Sequence, residues 1–235
     1  MSEPYTIVSL TAIRKAIATR MIEAKQSIPH YRIICEVNAD ALVNLRRELQ
    51  SLGSEVAPSI NDLMIKAVAQ TLMEVPDVNI QWSGTEIHRY HHADISIVTA
   101  LPSGGLSTPI VRAAESKSVW EISREIKALI LRAESNTLRM SDIVGGSFSI
   151  SNLGMYGIDQ FDAIINAPQC AILAIGAAKP GLVVSPDNEP RVATVMRITL
   201  SADHRAIDGV VGAAFMSALR RRLEAPDALR IGEVR

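Results

Sequence analysis

This sequence predicts a single α/β domain, on three observations. Apolar residues recur at helical spacing in several segments, β-branched runs flanked by Gly and Pro lie between them, and no linker-like tract separates the two kinds of segment. No internal repeat or low-complexity stretch breaks the pattern.

The first helix is expected over Ile13–Ala24, broken before Pro29, and a second over Ala41–Leu52, with Gly53 just past its end. Ser59-Ile60-Asn61-Asp62 reads as a helix start leading into Leu63, Met64, Ala67, Val68 and Leu72, with Pro76 as the stop. Ser118-Val119-Trp120-Glu121 fits a capping box, in which the Ser and Glu side chains satisfy each other's backbone donors. The helix it opens carries Ile122, Ile126, Leu129 and Ile130 on one side. The last helix, over Gly209–Leu223, turns Val211, Phe215, Leu219 and Leu223 inward and Arg220–Arg222 outward. Strands are expected at Arg32–Val37, Asp94–Ala100, Gly146–Ser151, Ala171–Ala177 and Val192–Leu200. In the third of these, Phe148 and Ile150 alternate with Ser147, Ser149 and Ser151, so one face is polar.

Composition narrows the function classes. With 235 residues the chain can bury a large core, and 48% hydrophobic against 4% aromatic content makes that core one of Ile, Leu, Val, Ala and Met. A net charge of −1 gives no electrostatic case for nucleic acid or an anionic membrane surface. No apolar run approaches the roughly 18 residues of a membrane span, and the first residues lack a secretory pattern. Two cysteines, Cys35 and Cys170, make no disulfide framework; both sit in apolar strand-like runs and read as buried thiols of a reducing compartment.

The most informative stretch is Ser201-Ala202-Asp203-His204-Arg205-Ala206-Ile207-Asp208-Gly209, between the last strand and the last helix. Histidine has the side chain whose ordinary pKa lies closest to neutrality, which suits a general base. Gly209 allows a tight turn or a close approach to another chain. Alone, a His near an Asp is more often a structural pair. Three nearby histidines, His88, His91 and His92, raise the question of zinc. The partner spacing and thiols are missing and Arg89 adds positive charge, so no metal is expected. Ser103-Gly104-Gly105 and Gly145-Gly146 lack the Lys-Ser or Lys-Thr of a phosphate loop and read as turns.

His-x-x-x-Asp-Gly near a carboxyl terminus resembles the signature shared by dihydrolipoamide acyltransferases of 2-oxoacid dehydrogenase complexes and chloramphenicol acetyltransferases. The segment Gly145–Ile158, containing Ser147-Phe148-Ser149-Ile150-Ser151-Asn152-Leu153-Gly154, resembles the dihydrolipoamide branch, and Ala163–Gly176, containing Ile165-Asn166-Ala167-Pro168-Gln169, follows at that branch's interval. Shorter likenesses, Ile13–Ala18, Ile28–Tyr31, Asn61–Ala67 and Gly105–Ile110, extend the resemblance over nearly the whole chain. It implies a two-layer sandwich of mixed β-sheet and helices, chloramphenicol-acetyltransferase-like, assembled as a homotrimer within a larger cubic or icosahedral core. Residues 1–235 are expected to form one acyltransferase catalytic domain. Nothing in them resembles a lipoyl-lysine hairpin, a subunit-binding domain or an Ala/Pro-rich linker, so the lipoyl group is expected in trans.

The implied reaction moves an acyl group, acetyl on the likeness of the Asn152–Gly157 and Ile165–Gln169 segments, between dihydrolipoamide and coenzyme A. His204 is the expected base and Ser151 the oxyanion donor, contributed by neighbouring subunits. As a catalytic residue Asp208 is expected to pair with an arginine and hold the loop rather than transfer a proton itself, with Arg14 and Arg205 both open as partners. His30, Arg14 and Asn152 are candidate substrate-binding residues; for His30 a turn histidine without a ligand is an equal reading. Ser149 stands where Thr is commoner in the family, and Ser107 where Thr or an aliphatic residue is usual. Expected partners are the decarboxylase and dihydrolipoamide dehydrogenase components, in a bacterial cytoplasm or a mitochondrial matrix. Branched-chain, succinyl and acetoin-linked transfer remain open, as do O-acetylation of a small hydroxyl compound, against which the Ser151 segment argues, and a scaffold with vestigial catalysis.

Overall fold

Two helix starts in this chain, at Ser59 and Ser118, carry the side-chain caps that the sequence marks. The computed structural model describes residues 4–52, 56–101, 105–185 and 187–230. In chain order the elements are α1 (Ala12–Ser27), β1 (His30–Asn38), α2 (Asp40–Ser51), α3 (Ile60–Glu74), β2 (Ile80–Trp82), β3 (Ile87–Arg89), β4 (Ile95–Ile97), β5 (Thr99–Ala100), β6 (Leu106–Ser107), β7 (Ile110–Val111), α4 (Val119–Glu134), α5 (Met140–Ile143), β8 (Phe148–Asn152), β9 (Ala171–Ile175), β10 (Lys179–Val184), β11 (Pro190–Asp203) and α6 (Gly209–Glu224). Thr11 caps α1, and Ser59–Asp62 and Ser118–Glu121 form reciprocal capping boxes at α3 and α4.

Seven strands form one mixed sheet in the order β1-β11-β9-β8-β4-β7, with β10 also on β11. β11 is antiparallel to β1, β9 and β10, whereas β8 is parallel to both β9 and β4. One face of this sheet carries α2, α3, α4 and α6, and the main core lies between, so the layers are those the resemblance implies. Phe148 of β8 meets Phe215 of α6 with ring centroids 5.6 Å apart, both fully buried. Burial of each such side chain contributes about 1.5–3 kcal/mol. The Ile122, Ile126 and Leu129 stripe of α4 and the Phe215, Leu219 and Leu223 stripe of α6 are buried as their spacing predicts.

The opposite face is covered only in part. A second small cluster there joins Ala24 and Ile28, at the end of α1, to Ile165 and Ile172. Of α1 itself only Ala24 is buried, and Ile13 and Ile22 are largely exposed. Its apolar spacing makes a helix without giving it a core face inside this chain.

The hidden strands were those with breakers or few residues. β10 contains Pro180 and Gly181, which weaken a strand pattern. At Gly181 a Cβ would lie 2.3 Å from a Val195 methyl, so the close approach of the hairpin requires glycine. Cys170 is buried and Cys35 is half-buried, less than the sequence pattern implied. Among the described residues no helix is long and apolar enough to cross a membrane.

Candidate active site

His204 sits one residue past β11 on a loop fixed from several sides. Its amide donates to Pro29 O at 3.1 Å, and the Asp203 carbonyl accepts from Ala206 and Ile207. The exposed imidazole lies against the ring of Tyr31, with centroids 4.5 Å apart. The Tyr31 hydroxyl donates to the Asp208 carbonyl at 2.7 Å, and burial raises the pKa of that phenol, with a smaller push from Asp208. A Cβ on Gly212 would come within 2.7 Å of the same hydroxyl, so α6 packs on Tyr31 through a glycine.

The expected Asp208–Arg pair is not formed. The Asp208 carboxylate caps α6, accepting from the amides of Val210 and Val211 at 2.9 Å each. Arg205 instead grips Asp203 with its Nε and Nη2, while Arg14, in the exposed first turn of α1, donates its amide to Thr11. Among the described residues neither arginine forms an ion pair with Asp208. The sequence pattern could not reveal this, because a carboxylate before a helix serves as cap or ion-pair partner with the same residue type. Asp208→Ala is expected to lower unfolding stability by about 0.5–2 kcal/mol and Asp208→Asn, which still accepts, by much less. Denaturant unfolding checks the ranking; equal losses would favour an ion pair over the cap.

Ser151 occupies the other half of the site. Along β8, Phe148 and Ile150 enter the main core and the serines take the opposite face. That polar face is packed rather than solvated, since Ser147 and Ser149 are fully buried. The Ser147 hydroxyl accepts from Asp94 N, and the Ser149 hydroxyl donates to Gln169 Oε1, whose Nε2 donates to Ser96 Oγ at 3.1 Å. Among the described residues the Ser151 hydroxyl makes no side-chain hydrogen bond. It faces a cavity of about 750 Å³ with apolar walls that include Ile17 and Met21 of α1, Val98, Phe161, Ile164 and Ile172. Gln169, Asp203, Arg205 and Trp82 also border that space.

Ser151 and His204 are far apart within one chain. Ser151 is in register with Ala174, and Ala174 with Thr199, so His204 lies two strands across and five residues further on. Strand geometry turns that into about 10 Å across the sheet and about 17 Å along it. The neighbours of His204, Asp203 and Arg205, border the Ser151 cavity, whereas the imidazole turns to the Tyr31 side.

The remaining candidates are held by structure. His30 donates from Nδ1 to Ile28 O at 2.9 Å, and its Nε2 accepts from Ile165 N at 3.1 Å. Both ring nitrogens are thus used in tying β1 to the segment before β9, and neither is left for substrate. Asn152 accepts from Gly154 N at 2.8 Å and donates to Asn61 at 3.1 Å, which fixes the turn after Ser151 against α3. Burial pushes the Cys170 thiol up to about 12 and also raises Cys35, so neither is an activated nucleophile. His92 pairs with Glu115, whose hydrogen bond and charge raise the imidazole's pKa. Among the described residues no group of three or more His, Cys, Asp or Glu side chains is arranged to hold a metal ion.

Sequence reasoning missed the Asp203–Arg205 pair and the Trp82 ring beneath it. The alternation of Asp203, His204 and Arg205 at a strand end was the available signal for the pair. Nothing in the sequence pointed to Trp82.

The family model described as 2-oxoacid dehydrogenases acyltransferase (catalytic domain) matches residues 2–231. The dihydrolipoyllysine-residue acetyltransferase component of the pyruvate dehydrogenase complex of Rickettsia conorii is 45% identical over 227 residues, covering 95% of this chain and 55% of that protein. The chain therefore spans about half the length of the curated relatives it matches. The cubic core of a pyruvate dehydrogenase multienzyme complex superposes with a TM-score of 0.91 at 28% identity, covering 96% of this chain and 93% of the other. An Azotobacter vinelandii dihydrolipoamide acetyltransferase gives 0.90 at 27%, with the same coverage. Chloramphenicol acetyltransferase, at 0.53 and 15%, shares the fold. With its motifs, sheet order and matched length in agreement, the chain belongs to the 2-oxoacid dehydrogenase acyltransferase family.

Proposed function

We propose that this chain is the catalytic core of a dihydrolipoamide acyltransferase, moving an acyl group, acetyl above all, between dihydrolipoamide and coenzyme A. The observation that carries the reading is the unpartnered Ser151 hydroxyl in a cavity with largely apolar walls, beside two serines whose hydroxyls are engaged. The Azotobacter relative supports it: crystallographic and enzymatic work there addressed a serine, a histidine and an asparagine in its catalytic mechanism. Its histidine and asparagine are four positions apart, as are His204 and Asp208, and its serine precedes the histidine by 52 positions against 53 here.

The chemistry needs two devices. A thiol with pKa near 8.5 is only a few per cent thiolate at pH 7, and the tetrahedral intermediate carries a negative oxygen. His204 takes the proton of the coenzyme A thiol as the sulfur attacks the thioester carbon of acyl-dihydrolipoamide. The Ser151 hydroxyl donates to the oxygen that becomes charged. Collapse breaks the bond to the dihydrolipoyl sulfur, which receives the proton from His204, and the acyl group ends on coenzyme A. The apolar walls suit the hydrocarbon arms of both thiols, and exclusion of water strengthens the serine's hydrogen bond.

Because Ser151 and His204 of one chain stand too far apart for this, the reading requires a second copy, with His204 of one subunit serving Ser151 of the next. A homotrimer built into a larger cubic or icosahedral core is the assembly proposed. The exposed Ile7, Val8, Leu10 and Ile13 and the sparsely packed α1 support an interface there. The lipoyl group comes from outside these 235 residues, passing between decarboxylase and dihydrolipoamide dehydrogenase components in the bacterial cytoplasm or mitochondrial matrix.

Complementation tests the shared site. His204→Ala and Ser151→Ala chains carrying different affinity tags are co-expressed and mixed assemblies purified through both tags. In a trimer that holds both chains, one interface of the three joins an intact His204 to an intact Ser151. Acyl transfer is expected to reappear far above either mutant alone. If both residues serve one site within a chain, every site keeps a lesion and mixing restores nothing.

A further inference from the structure

We propose that Arg205, locked to Asp203 and laid over Trp82, is a positioning residue for His204, and that it works for a different active site from the one whose cavity it borders. The inference rests on the shared-site reading above and adds to it a physical link between neighbouring sites.

Four bonds make the lock. Arg205 donates from its amide and Nε to Asp203 Oδ1, each at 3.0 Å, and from Nε at 3.2 Å and Nη2 at 2.7 Å to Asp203 Oδ2. The Asp203 carboxylate is almost wholly buried, with 1% of its side chain exposed, so the forked guanidinium is what compensates its charge. The guanidinium carbon lies 4.9 Å from the centroid of the Trp82 ring, a cation–π contact. Trp82 is tied in turn, its amide donating to Pro168 O at 3.0 Å.

His204 lies between the two locked residues. Asp203 and Arg205 both border the cavity, whereas the imidazole between them lies against Tyr31. A general base works only within hydrogen-bond reach of its proton, and a misplacement of about 1 Å can cost as much as 10²-fold. The cavity that Arg205 and Trp82 border holds Ser151 of the same chain, whereas His204 serves the Ser151 of a neighbour. Whatever shifts the Trp82 wall in one site therefore reaches the base of the next through a single ion pair.

The test uses the tagged hybrid assemblies, in which each surviving site takes His204 from one chain and Ser151 from the other. Arg205→Lys, which keeps the charge and loses the fork, is placed either on the Ser151→Ala chain, which supplies His204, or on the His204→Ala chain, which supplies Ser151. The first arrangement is expected to lose roughly 10-fold or more in kcat, at least about five times the loss of the second, with KM for coenzyme A little altered. Trp82→Leu, which leaves no buried charge unpaired, is expected to show the same asymmetry at smaller size and serves if the lysine variant fails to assemble. Equal losses in both arrangements, a larger loss in the second, or no loss in either would overturn the proposal. A hybrid without either substitution that is inactive despite proven mixing would instead overturn the shared site itself.

Discussion

His204→Ala is expected to lower acyl transfer by about 10²–10⁴-fold, the usual contribution of a positioned general base, while leaving the fold and assembly intact. The imidazole is exposed with its ring against Tyr31, and the loop is held by bonds that do not involve it: His204 N to Pro29, the Asp203 carbonyl, and the Asp203–Arg205 pair. Removing the ring therefore removes chemistry with little structural cost. Steady-state turnover of the purified, correctly assembled variant checks this. Retention of more than about a tenth of wild-type kcat would sink the assignment of His204 as base.

Ser151→Ala is expected to lower kcat by about 10²–10³ with little effect on KM for coenzyme A, because an oxyanion donor acts chiefly in the transition state. The structure makes this variant unusually clean. The Ser151 hydroxyl supports no neighbour among the described residues, in contrast to Ser149, whose loss would leave Gln169 short of a partner in a buried site. Comparing Ser151→Ala with Ser149→Ala therefore separates chemistry from packing: the first should lose turnover without stability, the second stability first. A change confined to KM in Ser151→Ala would make the residue a ground-state contact instead.

How far these residues could be read from sequence follows from the kind of information each carries. The helices opened at Ser59 and Ser118 were legible because a capping box is local chemistry, complete within four residues. The alternation in β8 was legible for the same reason, since strand period alone divides Phe148 and Ile150 from the three serines. Whether the serine face met water or protein was not legible, because Gln169 and Ser96 reach it from distant parts of the chain. The role of Asp208 failed for a related reason: its partners are the amides of Val210 and Val211, and backbone donors leave no mark on residue identity. His30 could not be resolved either, because its second partner, Ile165 N, lies 135 positions away. The exposed apolar side chains of α1 mark another limit. Helical spacing identifies a helix and says nothing about whether its apolar side chains find partners in the same chain.

The acyl transfer between dihydrolipoamide and coenzyme A proposed for this chain is tested by initial rates of thioester formation on free dihydrolipoamide from acetyl-, propionyl-, isobutyryl- and succinyl-coenzyme A. Transfer is expected with acetyl-coenzyme A at the highest kcat/KM, each added methylene costing about 1–3 kcal/mol, or roughly 10–200-fold, in a pocket fitted to the smaller group. The rate should vanish to background in the His204→Ala protein. Correctly assembled wild-type protein that transfers none of the four groups, or transfers them equally well without His204, would contradict the account.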